Sequence, residues 1–144
     1  MCELNPELFI PILNSAKVRG HLIEHELFDE RNVKVWIEGK LKVDSVHGCM
    51  VRAVIVNDEL AGWCGIQLEK GKYELAIVLD EKKWGLGRAV FFNLLEQAGE
   101  LGHKEVYIHL LNARPGYKFL TKMAGRVFES ELLGNKFLTY QISI

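Results

Sequence analysis

The stretch Tyr73–Gln97, YELAIVLDEKKWGLGRAVFFNLLEQ, decides the fold because it combines a strand, a glycine turn and a helix in that order. Its first part, Leu75–Leu79, is a short apolar run typical of a buried strand. After the charged turn Asp80–Lys83, apolar residues recur at helical spacing from Val90 to Ala98. Glycines let a backbone approach a ligand closely, and the first amides of a helix lack internal partners. Together with the helix dipole, such amides favour an anion such as a phosphate.

Three interpretations of the glycine turn compete on spacing alone. A dinucleotide fingerprint requires a third glycine, whereas Val90 stands in that place and no acidic residue closes a βαβ unit. A Walker loop requires a Gly-Lys-Ser/Thr sequence, which the turn lacks. The simplest interpretation is a tight turn at the start of a helix, without a ligand.

Length and composition predict one soluble domain over residues 1–144, with 49% hydrophobic and 26% charged residues. The net charge of −1, without a basic block, argues against nucleic acid or a membrane surface as partner. No apolar run has the length of a membrane span, and the N-terminus lacks a signal peptide pattern, so we expect a cytoplasmic protein. Cys2, Cys49 and Cys64 are far apart and lack metal-ligand spacing, which predicts reduced thiols and no metal site.

The region before the central stretch predicts two helices. Ser15 can cap the first, with Val18 and Leu22 on one face. Asp29 can cap the second, whose apolar stripe runs from Val33 to Leu41. The second segment also fits a hairpin about Glu38-Gly39, and its pattern leaves both structures open.

The rest of the chain predicts strands, with two helices between them. Three antiparallel strands joined by short turns fit the spacing from Cys49 to Leu79. The strand Glu105–Leu110 follows the helix, so it should run parallel to the central strand. Asn112–Met123 predicts a second helix, and residues 127–143 predict a final hairpin. The predicted order is therefore β-β-β-α-β-α-β-β.

The sequence Trp84-Gly-Leu-Gly-Arg-Ala89 resembles the acyl-CoA signature of the GNAT superfamily of N-acyltransferases, Gln/Arg-x-x-Gly-x-Gly/Ala. Trp84 takes the first place, Gly87 the fourth and Ala89 the sixth. A tryptophan in the first place resembles the motif of the branch that includes ribosomal-protein N-terminal acetyltransferases. The resemblance to the superfamily extends from Cys49 to the C-terminus. It implies an α+β, three-layer fold in which a mixed, mostly antiparallel central sheet is flanked by helices. One parallel strand pair would splay apart, opened by a bulge in its first strand.

The resemblance also implies acetyl-CoA as acyl donor, with no metal, lying between the splayed strands. The backbone of Ile77, Val78 and Leu79 would pair with the pantetheine arm, and Asn112 would contact the same arm. An amide aimed at the acyl oxygen would stabilise the developing oxyanion. The pyrophosphate would lie against the glycine turn, whose implied contacts are Trp84, Gly85, Leu86, Gly87, Arg88 and Ala89.

Three side chains are the candidates for proton transfer. Glu74 begins the central strand near the implied cleft, where superfamily members often carry an acidic base. His109 ends the parallel strand and could relay a proton at neutral pH. The superfamily often places a tyrosine general acid where this chain has Phe119 or Leu120. Tyr117, two or three residues away, is the candidate acid if the helix start at Pro115 shifts it into place. The alternative is that the thiolate, with a pKa near 8.5, leaves without an acid.

The resulting hypothesis is an acetyl-CoA-dependent N-acetyltransferase in which a primary amine attacks the thioester directly within a ternary complex. Its acceptor would be a peptide N-terminus or a small amine. The alternatives are an acyl-CoA-binding module without turnover, favoured by the missing tyrosine, and an interaction domain that binds no CoA. The two-fold bias of soluble oligomers favours a homodimer without identifying an interface.

Overall fold

A computed structural model of the chain describes residues 4–15, 27–111, 118–132 and 135–144. The helix predicted after Ser15 falls on residues 16–26, outside the described part. A 3-10 turn at Pro6–Phe9 leads into the short helix α1, Ile10–Asn14. The Asn14 side chain holds this end of the chain, because its amide donates to the Phe28 carbonyl at 2.9 Å and its oxygen accepts from the Phe28 amide at 2.7 Å.

Residues Glu30–Asp44 form helix α2, so the predicted helix is confirmed and the hairpin alternative is wrong. Asp29 decides this locally through a reciprocal cap. Its carboxylate accepts from the amides of Arg31 and Asn32, at 2.9 and 2.8 Å, and the Asn32 side chain accepts from the Asp29 amide at 2.6 Å. The amides that a helix leaves without internal partners are thereby satisfied at its first turn.

Six strands form one sheet in the order β1-β2-β3-β4-β6-β5, and β3 and β4 are its parallel pair. The strands are β1 Met50–Val56, β2 Glu59–Glu69, β3 Lys72–Leu79, β4 Glu105–Leu111, β5 Ala124–Leu132 and β6 Asn135–Ser143. Between them lie a 3-10 helix at Glu81–Leu86, helix α3 at Gly87–Glu100 and helix α4 at Lys118–Met123. The predicted mixed, mostly antiparallel sheet and its order of elements are confirmed. Within the described ranges, no helix is long and apolar enough to cross a membrane.

Two apolar clusters make the fold three-layered. One lies between the sheet and helices α3 and α4, where Phe91, Leu94 and Ala98 supply the predicted helical stripe. The other lies on the opposite face, beneath α1 and α2, and includes Val33 and Ile37. Because side chains alternate along a strand, each strand contributes residues to both faces. The second helical layer packs on β1 to β3 and leaves the polar side chains of β4 and β6 for the site described below.

One local prediction is wrong. The bulge implied for the central strand is absent, because β2 and β3 pair without a break from Gly62↔Leu79 to Glu69↔Lys72. Instead, the end of β3 lies unusually close to Gly62: an added β-carbon would overlap the Val78 carbonyl oxygen and lie 2.9 Å from the Leu79 α-carbon. Gly125 follows the end of α4 by two residues. It lies inside β5, at an irregularity in the pairing with β6.

The described cysteines, Cys49 and Cys64, are free and buried in the sheet. Burial raises the pKa of the Cys64 thiol to about 11, with a small opposing effect of Arg52. At pH 8 we therefore expect about 0.1% thiolate at Cys64, against about a quarter for an ordinary thiol. Iodoacetamide should label Cys64 about 100-fold more slowly, or slower still, in the folded protein than in the denatured protein. Mass mapping checks this, and equal labelling in both states would contradict the burial.

Candidate active site

The glycine turn is a 3-10 helix that continues directly into α3 at Gly87. The Trp84 indole nitrogen donates to the Leu79 carbonyl at 2.8 Å, which ties the turn to the end of β3. The Gly87 amide donates to the Trp84 carbonyl. The prediction of a free amide is therefore wrong at Gly87, because the tighter helical turn uses its N–H internally. The Leu79 carbonyl is likewise already bonded.

Nothing within the described chain requires glycine at positions 85 and 87. An added β-carbon at Gly85 or Gly87 would meet no atom within 4 Å, and the φ of Gly87 is an ordinary helical −54°. The surface beside the turn is therefore open, and Lys82, Lys83 and Arg88 lie within the same segment. An open helix start with three cations nearby fits a polyphosphate group. The close approach of such a group would explain why positions 85 and 87 are glycines, without side chains.

Strands β3 and β4 separate soon after they meet. Only Glu74↔Tyr107 and Leu75↔Ile108 are paired, so no residue from Ala76 to Leu79 pairs with β4. The splay implied by the resemblance is therefore present, although without the bulge. A parallel pair that opens at the carboxyl ends of its strands leaves backbone groups free to pair with an extended ligand.

Glu74 and His109 meet where the two strands separate. The carboxylate Oε2 of Glu74 lies 3.1 Å from Nε2 of His109, and both side chains are less than one-fifth exposed. On the other side of the ring, His109 Nδ1 lies 2.7 Å from the hydroxyl oxygen of Thr139, which is fully buried. His109 and Thr139 are direct partners on β4 and β6. Three neighbouring strands therefore place an acid, an imidazole and a hydroxyl in one row.

The row can carry a proton because the Thr139 hydroxyl both donates and accepts. In neutral His109, Nε2–H donates to Glu74 and the Thr139 hydroxyl donates to Nδ1. In the imidazolium, both ring nitrogens donate and the hydroxyl accepts. Within the described part of the chain, Oε1 of Glu74 has no hydrogen-bond partner. The open end of the row is therefore a carboxylate oxygen that can still accept a hydrogen bond.

Lys40 of α2 lies over the same part of the sheet. Its Nζ donates to Oε1 of Gln67 at 2.7 Å and lies 4.1 Å from the ring centroid of Trp63 and 5.8 Å from that of Trp36. Burial lowers the pKa of Lys40 to about 8, and the negative charge of Glu74 partly opposes this. Gln67 and Glu74 are cross-strand partners. The amine therefore lies beside the acid that begins the proton row.

Sequence reasoning selected Glu74 and His109, and the structure brings them into contact, while their roles stay predictions. Asn112 and Tyr117 lie outside the described residues. Leu120, at one of the two positions where the superfamily carries its tyrosine, is buried in the apolar core beside α4. Leu120 therefore cannot supply the general acid.

Sequence reasoning missed Lys40, Gln67 and Thr139. A signal for Lys40 was available, since it follows Trp36 by four residues on the apolar stripe of α2. A lysine on such a stripe is desolvated when the stripe packs. Thr139 alternates with core residues along β6, so the sequence pattern indicates which face of the sheet it lies on. Its contact with His109 depends on the pairing of β4 with β6, which the pattern does not give.

Comparison with solved structures places this architecture. A ribosomal-protein-alanine N-acetyltransferase from Brucella melitensis superposes with a TM-score of 0.71 at 17% identity, covering 97% of this chain and 94% of that one. An N-acetyltransferase from Staphylococcus aureus Mu50 gives 0.68 at 10% identity, covering 96% and 92%. The PaiA N-acetyltransferase from Thermoplasma acidophilum, solved in complex with coenzyme A, gives 0.63 at 13% identity, covering 97% and 93%.

No protein-family model matches the chain, and no curated protein matches it in sequence. The sheet order, the splayed parallel pair and the structural matches define a mixed, three-layer α/β fold. The chain has the fold of the GNAT acetyltransferases, as its resemblance to that superfamily predicted.

Proposed function

We propose that this protein is an N-acetyltransferase that moves an acetyl group from acetyl-CoA to a primary amine by direct attack within a ternary complex. The observation that carries the proposal is the Glu74–His109 pair at the point where β3 and β4 separate. The acyl donor would lie in that opening, against the backbone of Ile77 and Val78. Its pyrophosphate would lie against the open surface at Gly85 and Gly87.

The acceptor must lose a proton before it can attack. At pH 7, deprotonation costs about 4.6 kcal/mol for a lysine-type amine and about 1 kcal/mol for an α-amine. In the proposed mechanism Oε1 of Glu74 takes this proton, while His109, hydrogen-bonded to Thr139, stabilises the carboxylate through Oε2. The amine then attacks the thioester carbonyl carbon, the nitrogen gives up its second proton to solvent, the carbon–sulfur bond breaks, and CoA leaves as a thiolate. Tyr117 is the remaining candidate for the acid that protonates it.

A non-catalytic acyl-CoA-binding module is the second candidate, favoured by the leucine at position 120. Binding alone needs the opening between the strands and the glycine segment, but it does not need a carboxylate–imidazole–hydroxyl row. A thiolate with a pKa near 8.5 can also leave without an acid. The row therefore favours turnover. Coenzyme release measured across peptide N-termini, amino acids and polyamines separates the two candidates and identifies the acceptor.

Gly87→Glu should abolish acetyl-CoA binding while the protein stays folded. The new side chain enters open space with ordinary helical backbone angles, so the fold accommodates it. Its negative charge would lie where the pyrophosphate is proposed to bind. In the wild-type protein, acetyl-CoA at 100 times its dissociation constant should add about 2.7 kcal/mol to the free energy of unfolding. Thermal unfolding with and without millimolar acetyl-CoA measures this as a shift of several degrees.

Gly39→Glu is the matched control, because Gly39 is also helical and open but lies on α2, away from the glycine segment. It should keep the wild-type shift with acetyl-CoA. An undiminished shift in Gly87→Glu would overturn the pyrophosphate assignment. No shift in the wild-type protein, with NADH as comparator, would overturn the proposed function itself.

A further inference from the structure

The amine of Lys40 is held by groups that suit a reacting amine. An amide oxygen accepts its hydrogen bond, two indole faces lie beside it, and the Glu74 carboxylate lies close enough to interact with its charge. The aromatic rings and the carboxylate both attract a cation. Lys40 therefore occupies the kind of environment that the active site must offer to the amine of an acceptor.

Lys40 also lies near the residues at which the two strands separate. Its partner Gln67 lies opposite Glu74 on the neighbouring strand, and Glu74 contacts His109, which follows the last paired residue of β4. The proposal requires the flexible four-carbon stem of lysine to carry Nζ from Gln67 past Glu74 to this opening.

We propose that the protein acetylates Lys40 in its own active site, using acetyl-CoA as donor and the Glu74–His109–Thr139 row as proton acceptor. This inference rests on the proposed function. The lone pair of neutral Nζ attacks the thioester carbonyl carbon, a carbon–nitrogen bond forms, and the carbon–sulfur bond breaks. The proton lost by nitrogen passes to Glu74 and then to the leaving thiolate or to solvent. The products are Nε-acetyl-Lys40 and CoA, and nothing is oxidised or reduced.

The protonation state of Lys40 supports this chemistry. A pKa of about 8 leaves half of the amine neutral at pH 8. A solvated lysine with a pKa near 10.4 is about 0.4% neutral at the same pH. Acetylation should therefore favour Lys40 over the exposed Lys34 and Lys42 of the same helix by about 100-fold. The rate of acetylation at Lys40 should fall about tenfold per pH unit below pH 7, because the neutral fraction of the amine falls by that factor.

The experiment incubates the purified protein with acetyl-CoA and follows the addition of about 42 Da by intact mass and peptide mapping. We expect modification at Lys40 with a rate constant that is independent of protein concentration. Lys40→Arg should remove it, and Lys34→Arg should leave it unchanged. Modification spread evenly over the lysines, or a rate that rises with protein concentration, would overturn the proposal.

Glu74→Gln separates catalysed from spontaneous acetylation. The charge of Glu74 raises the pKa of Lys40, so its removal leaves a larger fraction of the amine neutral and reactive. Spontaneous acetylation by acetyl-CoA should therefore become faster in the variant. Acetylation that uses the Glu74–His109–Thr139 row as proton acceptor should become slower by about tenfold or more. Acetyl phosphate, which lacks the CoA moiety, should modify the wild-type protein and the variant without this loss. A faster reaction of Glu74→Gln with acetyl-CoA contradicts the inference.

The same samples are tested for a thermal shift with acetyl-CoA. A shift without acetylation of Lys40 overturns this inference and leaves the proposed function standing. The absence of both the shift and the modification overturns both proposals.

Discussion

Glu74→Gln should lower kcat/KM for a lysine-type amine acceptor by about 10²–10⁴-fold while leaving the affinity for acetyl-CoA unchanged. The substitution keeps the size and shape of the side chain but removes the base at the open end of the row. For an α-amine the loss should be smaller, because deprotonation costs about 1 rather than 4.6 kcal/mol at pH 7. Raising the pH should partly restore the variant, since more of the acceptor is then neutral in solution.

Glu69→Gln is the matched control, since Glu69 is an exposed carboxylate at the end of β2, outside the proton row. It should keep wild-type kinetics at every pH. His109→Gln should behave like Glu74→Gln with a smaller loss, because it removes the support of the carboxylate and not the carboxylate itself. Full activity in Glu74→Gln at neutral pH would rule out the base and leave direct attack by a neutral acceptor.

Gly62→Ala should destabilise the fold more than an ordinary glycine substitution. The added β-carbon would overlap the Val78 carbonyl oxygen and crowd the Leu79 α-carbon, and both are backbone groups that no side-chain rotation can relieve. We expect a loss of about 3 kcal/mol in the free energy of unfolding. For a domain of this size that corresponds to a decrease in Tm of roughly 6–12 °C.

The same change should weaken acetyl-CoA binding, because relief of the overlap requires Val78 and Leu79 to move away from β2 and into the opening beside β4. Gly39→Ala is the control. Its β-carbon meets no atom within 4 Å in the middle of α2, so its Tm should stay equal or rise slightly. A Gly62→Ala protein with wild-type Tm and wild-type affinity would show that the close approach of the strands does not shape the site.

The row of Glu74, His109 and Thr139 favours an enzyme over a binding module for an energetic reason. A carboxylate that is less than one-fifth exposed loses hydration, and that loss is offset when an imidazole contacts one oxygen. A binding module would gain nothing by keeping the other oxygen open to the cleft. In the proposed mechanism, an acceptor ammonium would bind that oxygen and give up its proton to it in the same contact.

The sequence by itself determined the elements and their order, because those depend on neighbours along the chain. The helical spacing from Val90 to Ala98 predicted α3, whereas the pattern after Asp29 fitted both a helix and a hairpin, and the structure decided for α2. Alternating and apolar runs produced the strands, and the return through a helix made β4 parallel to β3. The sequence also selected Glu74 and His109, since both stand on strands that must border the opening.

Tertiary structure alone decided which of these groups touch. His109 and Thr139 are 30 residues apart, and their contact depends on β6 inserting between β4 and β5. Lys40 reaches Gln67 because α2 packs on the face of the sheet formed by β1 to β3, and a helical pattern does not specify that placement. The close approach at Gly62 replaced the expected bulge for the same reason. Local patterns assign a residue to a face of its element, whereas register and strand order determine its neighbours across the sheet.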